Sequence, residues 1–196
     1  MSTVVKPLKP GESPDAEVNT LLQQAKEGWW NDTAMFGVIA RQPELLKKIV
    51  PVFEAFFMAG RIPAPMFELM RLKTGEINRC TYCATVRAAG IRDEVAPKEI
   101  AVFGDIDDKT LSRREYLGVK LAEYMAGDPN YIPDSFYEEL KAEFSEEEIV
   151  ELIFGCSVFN FGNKFNITMR LDADEESKYP KGMNYPLTEA KVAAAE

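Results

Sequence analysis

The chain has 196 residues, 46% of them hydrophobic and twelve of them phenylalanine, which is enough to build the core of one domain. Its net charge of −9 argues against a nucleic-acid partner, and no segment approaches the roughly eighteen apolar residues that a membrane span needs. The N-terminus lacks the apolar run of a signal peptide, and three cysteines are too few for a disulfide scaffold, so we expect a reducing, cytoplasmic setting.

The first part of the chain is predicted to form an extended arm followed by a helix. Residues 1–12 contain two prolines and a glycine, which favour an extended arm. Ser13, followed by proline and aspartate, is typical of a helix start, and apolar residues at helical spacing follow it. Trp29 and Trp30 come next and are predicted to pack in the core or at a contact between subunits.

Three more helices are predicted before the first cysteine. A short one covers 33–40, and Pro43 opens a longer one whose apolar residues recur at helical spacing. Pro51 lies inside that second helix and predicts a kink or a break, because proline removes a hydrogen-bond donor. The third helix carries Glu68 and is predicted to end at Gly75.

The segment that follows holds Cys80 and Cys83, spaced Cys-x-x-Cys. On a helix the two sulfurs lie on one face, one turn apart, which is close enough for a disulfide. We expect this helix to start near Asn78 and to end at Gly90, so that Cys80 lies in the first turn, where the helix dipole favours a thiolate. Arg87 would lie on the same face and favour the thiolate further.

The remainder of the chain is predicted to form three further helices and a tail. Their predicted starts are capping residues: Asp107 or Asp108, Asp134, and Ser145, which opens a capping box. Cys156 lies in the last of these helices and is expected to be a buried, inert thiol. No segment alternates as a strand does. The chain is therefore predicted to be all-α, with one helical domain over 13–174 and a tail over 175–196.

Four interpretations of the Cys-x-x-Cys motif compete. A structural zinc site needs about four ligands, but the chain has no histidine and only one further cysteine, Cys156. A thioredoxin-like motif needs a βαβ pattern beside it, and none is visible. Two buried, inert thiols are the third interpretation. A redox-active dithiol on a helical scaffold is the leading hypothesis, and it requires neither a metal nor a cofactor.

The pattern Glu-x11-Cys-x-x-Cys, formed by Glu68, Cys80 and Cys83, resembles the alkylhydroperoxidase D-like branch of the carboxymuconolactone decarboxylase family. The resemblance extends over residues 29–174. The stretch FGVIARQPELLKKIVPVFEAFFMAGRIPAPMFELMRL looks like the family's helix pair, and FNFGNKFNITMRLDAD looks like its closing helix. The resemblance implies an antiparallel helical bundle whose subunits assemble as a homo-oligomer, either a trimer or a hexamer.

The resemblance also implies roles for the motif residues. In the peroxidase members a hydroperoxide oxidises the second cysteine, here Cys83, to sulfenic acid, and the first, here Cys80, condenses with it to a disulfide. An external dithiol partner then reduces this disulfide. Glu68 matches the glutamate of the family's proton relay, in which a histidine four residues after the second cysteine connects the glutamate to the thiol. This chain has Arg87 at that position.

Arginine at position 87 changes what such a relay can do. A relay group must accept and release a proton near neutral pH, which imidazole does and guanidinium does not. Arg87 can instead stabilise a thiolate and pair with Glu68 in a bidentate way, and the alternative is that the two form only a structural ion pair. We therefore expect hydroperoxide reduction to be weakened and Arg87→His to raise it.

Three classes of function are compatible with these residues. The first is a thiol-dependent peroxidase or disulfide oxidoreductase. The second is a lyase like the decarboxylase branch of the family, although those relatives generally lack Cys-x-x-Cys. The third is a non-catalytic redox sensor in which Cys80 and Cys83 form a switch without turnover.

Overall fold

The computed structural model describes residues 3–27, 32–88 and 90–172. Within these ranges the chain is helical and forms no β-strand beyond a single bridging residue, Ala88, which confirms the predicted all-α class. Trp29, Trp30 and the predicted tail over 175–196 lie outside the described residues. None of the helices in the described ranges combines the length and the apolar character that a bilayer crossing requires.

The described ranges contain helices of very different lengths. In chain order they are α1 (Ala16–Glu27), α2 (Ala34–Ile39), α3 (Pro43–Phe53), α4 (Ala64–Ile77), α5 (Thr81–Thr85), α6 (Arg92–Val95), α7 (Glu99–Val102), α8 (Arg113–Ala126), α9 (Asp134–Glu143) and α10 (Glu146–Met169). A π-helical turn, Glu54–Met58, continues α3, and short 3-10 turns occupy Ala96–Lys98 and Pro129–Tyr131.

Helix α4 is the centre of the fold. Every residue from Met66 to Gly75 is buried, so the helix has no solvent-facing side, as is typical of a helix that is covered all round. It packs chiefly against α8 and α10. Close approach requires glycine in both partners: a Cβ at Gly118 would lie 2.5 Å from Met66, and a Cβ at Gly155 would lie 2.5 Å from the ring of Phe67.

Helices α4, α8 and α10, which pack against one another more extensively than any other three of the described helices, run in the same direction. Residues farther along α4 contact residues farther along its partners: Met66 with Gly118 and Lys73 with Glu123 for α8, and Phe67 with Gly155 and Asn78 with Asn163 for α10. Helix α9 runs antiparallel to α8, since Tyr124 packs on Phe136 while Arg113 pairs with Glu139. The antiparallel packing that the resemblance implies is therefore provided by the shorter helix α9, which runs in the direction opposite to α8.

Several predicted helix boundaries are confirmed and others are wrong. Pro43 begins α3, and Ser145 caps α10 with the reciprocal bonds of a capping box. Of the kink or break predicted at Pro51, the break is wrong, since α3 continues through Pro51 to Phe53 and passes into the π-helical turn. Helix α8 begins after Ser112, rather than at the two predicted aspartates, because Ser112 forms a capping box of its own. Asp134 is the first residue of α9 and follows the capping position.

The N-terminal arm is fastened to the helices on which it lies. The N–H of Val4 donates to the carbonyl of Met169 at 3.0 Å, and the N–H of Leu8 donates to the carbonyl of Gly37 at 2.9 Å. A Cβ at Gly37 would lie 2.4 Å from the backbone oxygen of Leu8. The arm is thereby held against α2 and the end of α10.

Candidate active site

The cysteine pair lies on a short helix that leaves the end of α4 by a tight reversal. Helix α4 continues through Gly75 to Ile77, and Arg79 takes a left-handed conformation, φ 55°, that turns the chain back. The N–H of Cys80 donates to the carbonyl of Gly75 at 2.9 Å. The prediction that Gly75 ends its helix was wrong. A Cβ there would lie 3.3 Å from the Cβ of Cys83, so glycine gives α5 room to pack on α4.

Cys80 and Cys83 are joined by a disulfide bond in this structure, with 2.08 Å between the sulfurs and 5.3 Å between the α-carbons. This confirms that the pair lies within bonding reach. Cys80 is the N-cap residue of α5, and its Sγ accepts a hydrogen bond from the Cys83 N–H at 3.3 Å. Helix α5 runs only from Thr81 to Thr85, so the helix predicted to reach Gly90 is much shorter than expected.

Cys156 has none of the features of a reactive thiol. It is fully buried in α10 and carries no disulfide. Burial raises the pKa of the Cys156 thiol far above its ordinary value, and a thiol kept protonated is a poor nucleophile. The expectation of a buried Cys156 is confirmed. Among the described residues, no group of three or more His, Cys, Asp and Glu side chains is arranged to hold a metal ion.

Glu68 lies inside the protein and forms an ion pair with Arg71, one turn further along α4. Both carboxylate oxygens accept hydrogen bonds from the Arg71 guanidinium at 2.7 Å, and the N–H of Ala88 donates to the same carboxylate at 3.1 Å. Burial opposes ionisation of Glu68, but the charge and hydrogen bonds of Arg71, with smaller contributions from the Arg87 charge and the Ala88 N–H, together outweigh it and hold the pKa of this carboxyl below its ordinary value. Glu68 is therefore a fixed anion near neutral pH.

Arg71 also binds the segment that carries the cysteines. It donates to the carbonyl of Cys83 at 2.6 Å and to the carbonyl of Val86 at 2.7 Å. The Arg71 guanidinium thus joins the buried carboxylate of Glu68 to the backbone of Cys83, within α5, and of Val86, just after α5. The pair positions the cysteine helix against α4, and Arg71 was not among the residues that the sequence pointed to.

Arg87 pairs with Glu99 at the start of α7, whereas the sequence predicted a pair with Glu68. Its Nε and Nη2 donate to the Glu99 carboxylate at 2.7 Å and 3.2 Å. Its Nη1 donates to the carbonyls of Ala84 and Val86 at 2.6 Å and 3.1 Å. The predicted pairing was wrong because α5 ends before position 87, so Arg87 does not share a helical face with the cysteines.

A narrow cleft with a cavity volume of about 30 Å³ lies next to Cys83. Much of its described lining is apolar, provided by Met35, Phe53, Val158 and Phe159. The polar side chains in the lining are those of Arg71, Tyr82, Asn163 and Asn166. Of the four residues that the sequence predicts for the site, Cys83 alone is among the described lining residues.

Two polar contacts in this lining were not predicted from the sequence. The amide Nδ2 of Asn166 donates to the Sγ of Cys83 at 3.4 Å. The hydroxyl of Tyr82 donates to the carboxylate of Asp32 at 2.9 Å, and both of these side chains are buried. Asn166 thereby brings the C-terminal half of α10 to the Cys83 sulfur, and Tyr82 supplies the one hydroxyl among the described lining residues.

No protein-family model matches the chain. The uncharacterized protein YdfG of Bacillus subtilis (strain 168) is 22% identical over 125 residues, which are 62% of this chain and 85% of YdfG.

Among the solved structures that match are those of two proteins that cover most or all of the chain. The debrominase Bmp8, determined alone and with 2,3,4-tribromopyrrole, superposes with a TM-score of 0.72 and 16% identity, over 100% of this chain and 99% of Bmp8. A peroxidase-related protein from Ralstonia eutropha JMP134, described as an alkylhydroperoxidase AhpD core, superposes with a TM-score of 0.66 and 16% identity, over 88% of this chain and 95% of its own. The chain therefore has the alkylhydroperoxidase AhpD-like fold, as the resemblance implied.

Proposed function

We propose that this chain is a thiol-dependent peroxidase, a disulfide oxidoreductase that reduces hydroperoxides with Cys83 and Cys80. The single observation that carries the proposal is the position of Cys83. Its sulfur lies at a narrow, largely apolar cleft and within bonding reach of Cys80. A small molecule in the cleft would meet Cys83 first, and Cys80 would then close the disulfide.

The proposed reaction is a two-step oxidation of the cysteine pair. The Cys83 thiolate attacks the terminal oxygen of the hydroperoxide, so that a sulfur–oxygen bond forms, the oxygen–oxygen bond breaks and an alkoxide leaves to take up a proton. Cys83 is now a sulfenic acid. The Cys80 thiolate attacks its sulfur, the disulfide forms, and hydroxide leaves to become water. An external dithiol returns both cysteines to thiols by exchange.

The charged residues are proposed to hold the site rather than to move protons. Glu68 is kept ionised by Arg71, and a guanidinium does not release its proton near neutral pH. The Arg71 charge at the cleft favours the Cys83 thiolate, while Arg87 positions the backbone that follows α5. The departing alkoxide is proposed to take up its proton from water at the cleft, since the Tyr82 hydroxyl donates to the Asp32 carboxylate. We further propose that the protein is cytoplasmic and that its subunits assemble as a homo-oligomer, either a trimer or a hexamer.

Turnover with cumene hydroperoxide and a dithiol tests the proposal. Wild type should consume hydroperoxide, Cys83→Ser and Cys80→Ser should each abolish catalytic turnover, and Cys156→Ser is the matched control that should keep it. Peroxide-driven formation of the disulfide without turnover would instead indicate a redox sensor. Decarboxylation of a lactone substrate, with both cysteines dispensable, would indicate the lyase of the decarboxylase branch.

Reductive dehalogenation is a second candidate, favoured by the full-length superposition on the debrominase Bmp8 and by the apolar lining of the cleft. In that reaction the Cys83 thiolate would take the halogen from a halogenated heterocycle, a proton would replace it on carbon, and Cys80 would expel halide as the disulfide forms. Bromide release from 2,3,4-tribromopyrrole in the presence of a dithiol, without hydroperoxide turnover, would favour this activity.

A further inference from the structure

Only one of the two polar groups in the side-chain amide of Asn166 has a hydrogen-bond partner among the described residues. Its Nδ2 donates to the Sγ of Cys83 at 3.4 Å. Its Oδ1 is buried and has no hydrogen-bond partner among the described residues. Asn166 is 3% exposed and lines the cleft beside Cys83. Buried polar atoms in folded proteins nearly always have a partner, so an orphaned acceptor at a cleft indicates a donor that reaches it from the cleft, either water or a bound ligand.

The surroundings restrict what that ligand is. It must present a hydrogen-bond donor to Oδ1 close to the Cys83 sulfur, and the rest of it must lie against apolar side chains such as Phe53 and Val158. An alkyl hydroperoxide has both parts, because its terminal O–H is a donor and its alkyl group is apolar. Largely apolar pockets with one or two placed polar groups obtain their specificity in this way.

We propose that Asn166 is the residue that orients the substrate, and that the substrate is an organic hydroperoxide whose terminal O–H donates to Asn166 Oδ1. This inference rests on the proposed peroxidase function. The hydrogen bond places the terminal oxygen, which is the atom under attack, beside the sulfur that Nδ2 contacts. The same amide therefore stabilises the Cys83 thiolate through its N–H group and positions the oxygen that the thiolate attacks.

The bond changes of the attack leave this contact in place. The thiolate sulfur bonds to the terminal oxygen, the oxygen–oxygen bond breaks, and the alkoxide leaves and is protonated. The hydrogen that Asn166 accepts stays on the transferred oxygen, so the Cys83 sulfenic acid keeps its O–H directed to Oδ1. Cys80 then attacks the same sulfur and expels that oxygen as hydroxide.

Two probes separate substrate orientation from thiolate reactivity. The reduced full-length protein is mixed rapidly with tert-butyl hydroperoxide, or with methyl methanethiosulfonate, a thiolate reagent that has no O–H or N–H donor. For each variant the ratio of the two second-order rate constants is compared with wild type. Asn166→Leu removes the amide at similar volume, and Asn166→Asp keeps the acceptor but loses the donor. Asn130→Leu, in an exposed turn away from the cleft lining, is the matched control.

Asn166→Leu should lower the hydroperoxide-to-thiosulfonate ratio by about 10-fold to 100-fold, the effect of one hydrogen bond to a reacting group. Asn166→Asp should slow both reagents, because its charge disfavours the thiolate, and should keep a ratio close to that of wild type. Asn130→Leu should change neither rate. If Asn166→Leu does not fold, Asn166→Ala should show the same fall in ratio.

Two results would overturn the inference in distinguishable ways. A wild-type ratio in Asn166→Leu, or in its alanine substitute, would remove Asn166 from substrate orientation and leave the peroxidase proposal intact. Wild type that reacts with the thiosulfonate but not with the hydroperoxide would overturn the proposed function together with the inference.

Discussion

The substitution Glu68→Gln tests how much the charge of Glu68 contributes to stability. Glu68 pairs with Arg71, and this buried pair holds the cysteine helix α5 against α4. Glutamine keeps the shape of the side chain and one acceptor, but it removes the negative charge that pairs with the buried Arg71 guanidinium. Removing one member of a buried ion pair costs about 3–5 kcal/mol of unfolding free energy. We expect the lower end, about 3 kcal/mol, because Arg71 retains its bonds to the carbonyls of Cys83 and Val86.

The cost should depend on pH in a defined direction. Arg71 lowers the pKa of Glu68 in the folded protein, so folding favours the ionised carboxyl. The resulting stabilisation is complete above the unfolded-state pKa of glutamate, about 4.3, and is lost as pH falls through the lower folded-state pKa. The difference in stability between wild type and Glu68→Gln should therefore be constant near neutral pH and shrink in acid.

Urea unfolding followed by far-ultraviolet circular dichroism measures this difference at each pH. Glu138→Gln is the control, since Glu138 pairs with Lys141 on an exposed face and its loss should leave the unfolding free energy unchanged. Equal stability of wild type and Glu68→Gln at neutral pH, or a difference that does not shrink in acid, would refute the assignment of Glu68 as a buried anion paired with Arg71.

Three further predictions follow from individual contacts. Gly155→Ala places a methyl group against the ring of Phe67, so it should lower the unfolding free energy by about 1–3 kcal/mol in urea titrations; unchanged stability would contradict the close approach of α4 and α10. The sequence led us to expect that Arg87→His raises hydroperoxide turnover, but Arg87 pairs with Glu99 in the structure and this changes the expectation. The variant leaves the Glu99 carboxylate without its guanidinium, so thermal unfolding should occur at a lower temperature and hydroperoxide turnover should not rise; faster turnover would instead support the imidazole relay. Phe161 is an apolar residue of α10 that is 45% exposed, and Phe161→Glu should reduce the mass measured by light scattering if this face joins subunits; a monomeric wild type would contradict the predicted homo-oligomer.

Much of the helical framework could be predicted because its signals are local. Pro43 and the Ser145 capping box mark helix starts through bonds within one turn, and both predictions are confirmed. The role of Gly75, by contrast, could not be predicted from the sequence. A glycine near a helix end looks like a cap in the sequence, yet here it makes room for Cys83 across an interface between helices. That contact depends on packing between helices, which no local pattern records.

The residues of the candidate site also divide into those that a local sequence pattern predicts and those whose contacts depend on the fold. The spacing of Cys80 and Cys83 was sufficient to predict that the two sulfurs lie within disulfide reach, because both residues lie on one short segment. The partner of Arg87 could not be predicted, because Glu99 reaches it across the fold. Arg71 had a usable signal, since a carboxylate and an arginine three residues apart share one helical face. Asn166 had no comparable signal, because α10 contains several other polar residues.

The most direct test of the central claim is to trap the oxidised cysteine. In the Cys80→Ser variant the disulfide cannot form, so one equivalent of an organic hydroperoxide should leave a sulfenic acid that a 1,3-diketone reagent labels. Mass spectrometry of the digested protein should find the label on Cys83 and leave Cys156 unmodified. Absence of any label, or a label on Cys156, would contradict the assignment of Cys83 as the residue that attacks the hydroperoxide.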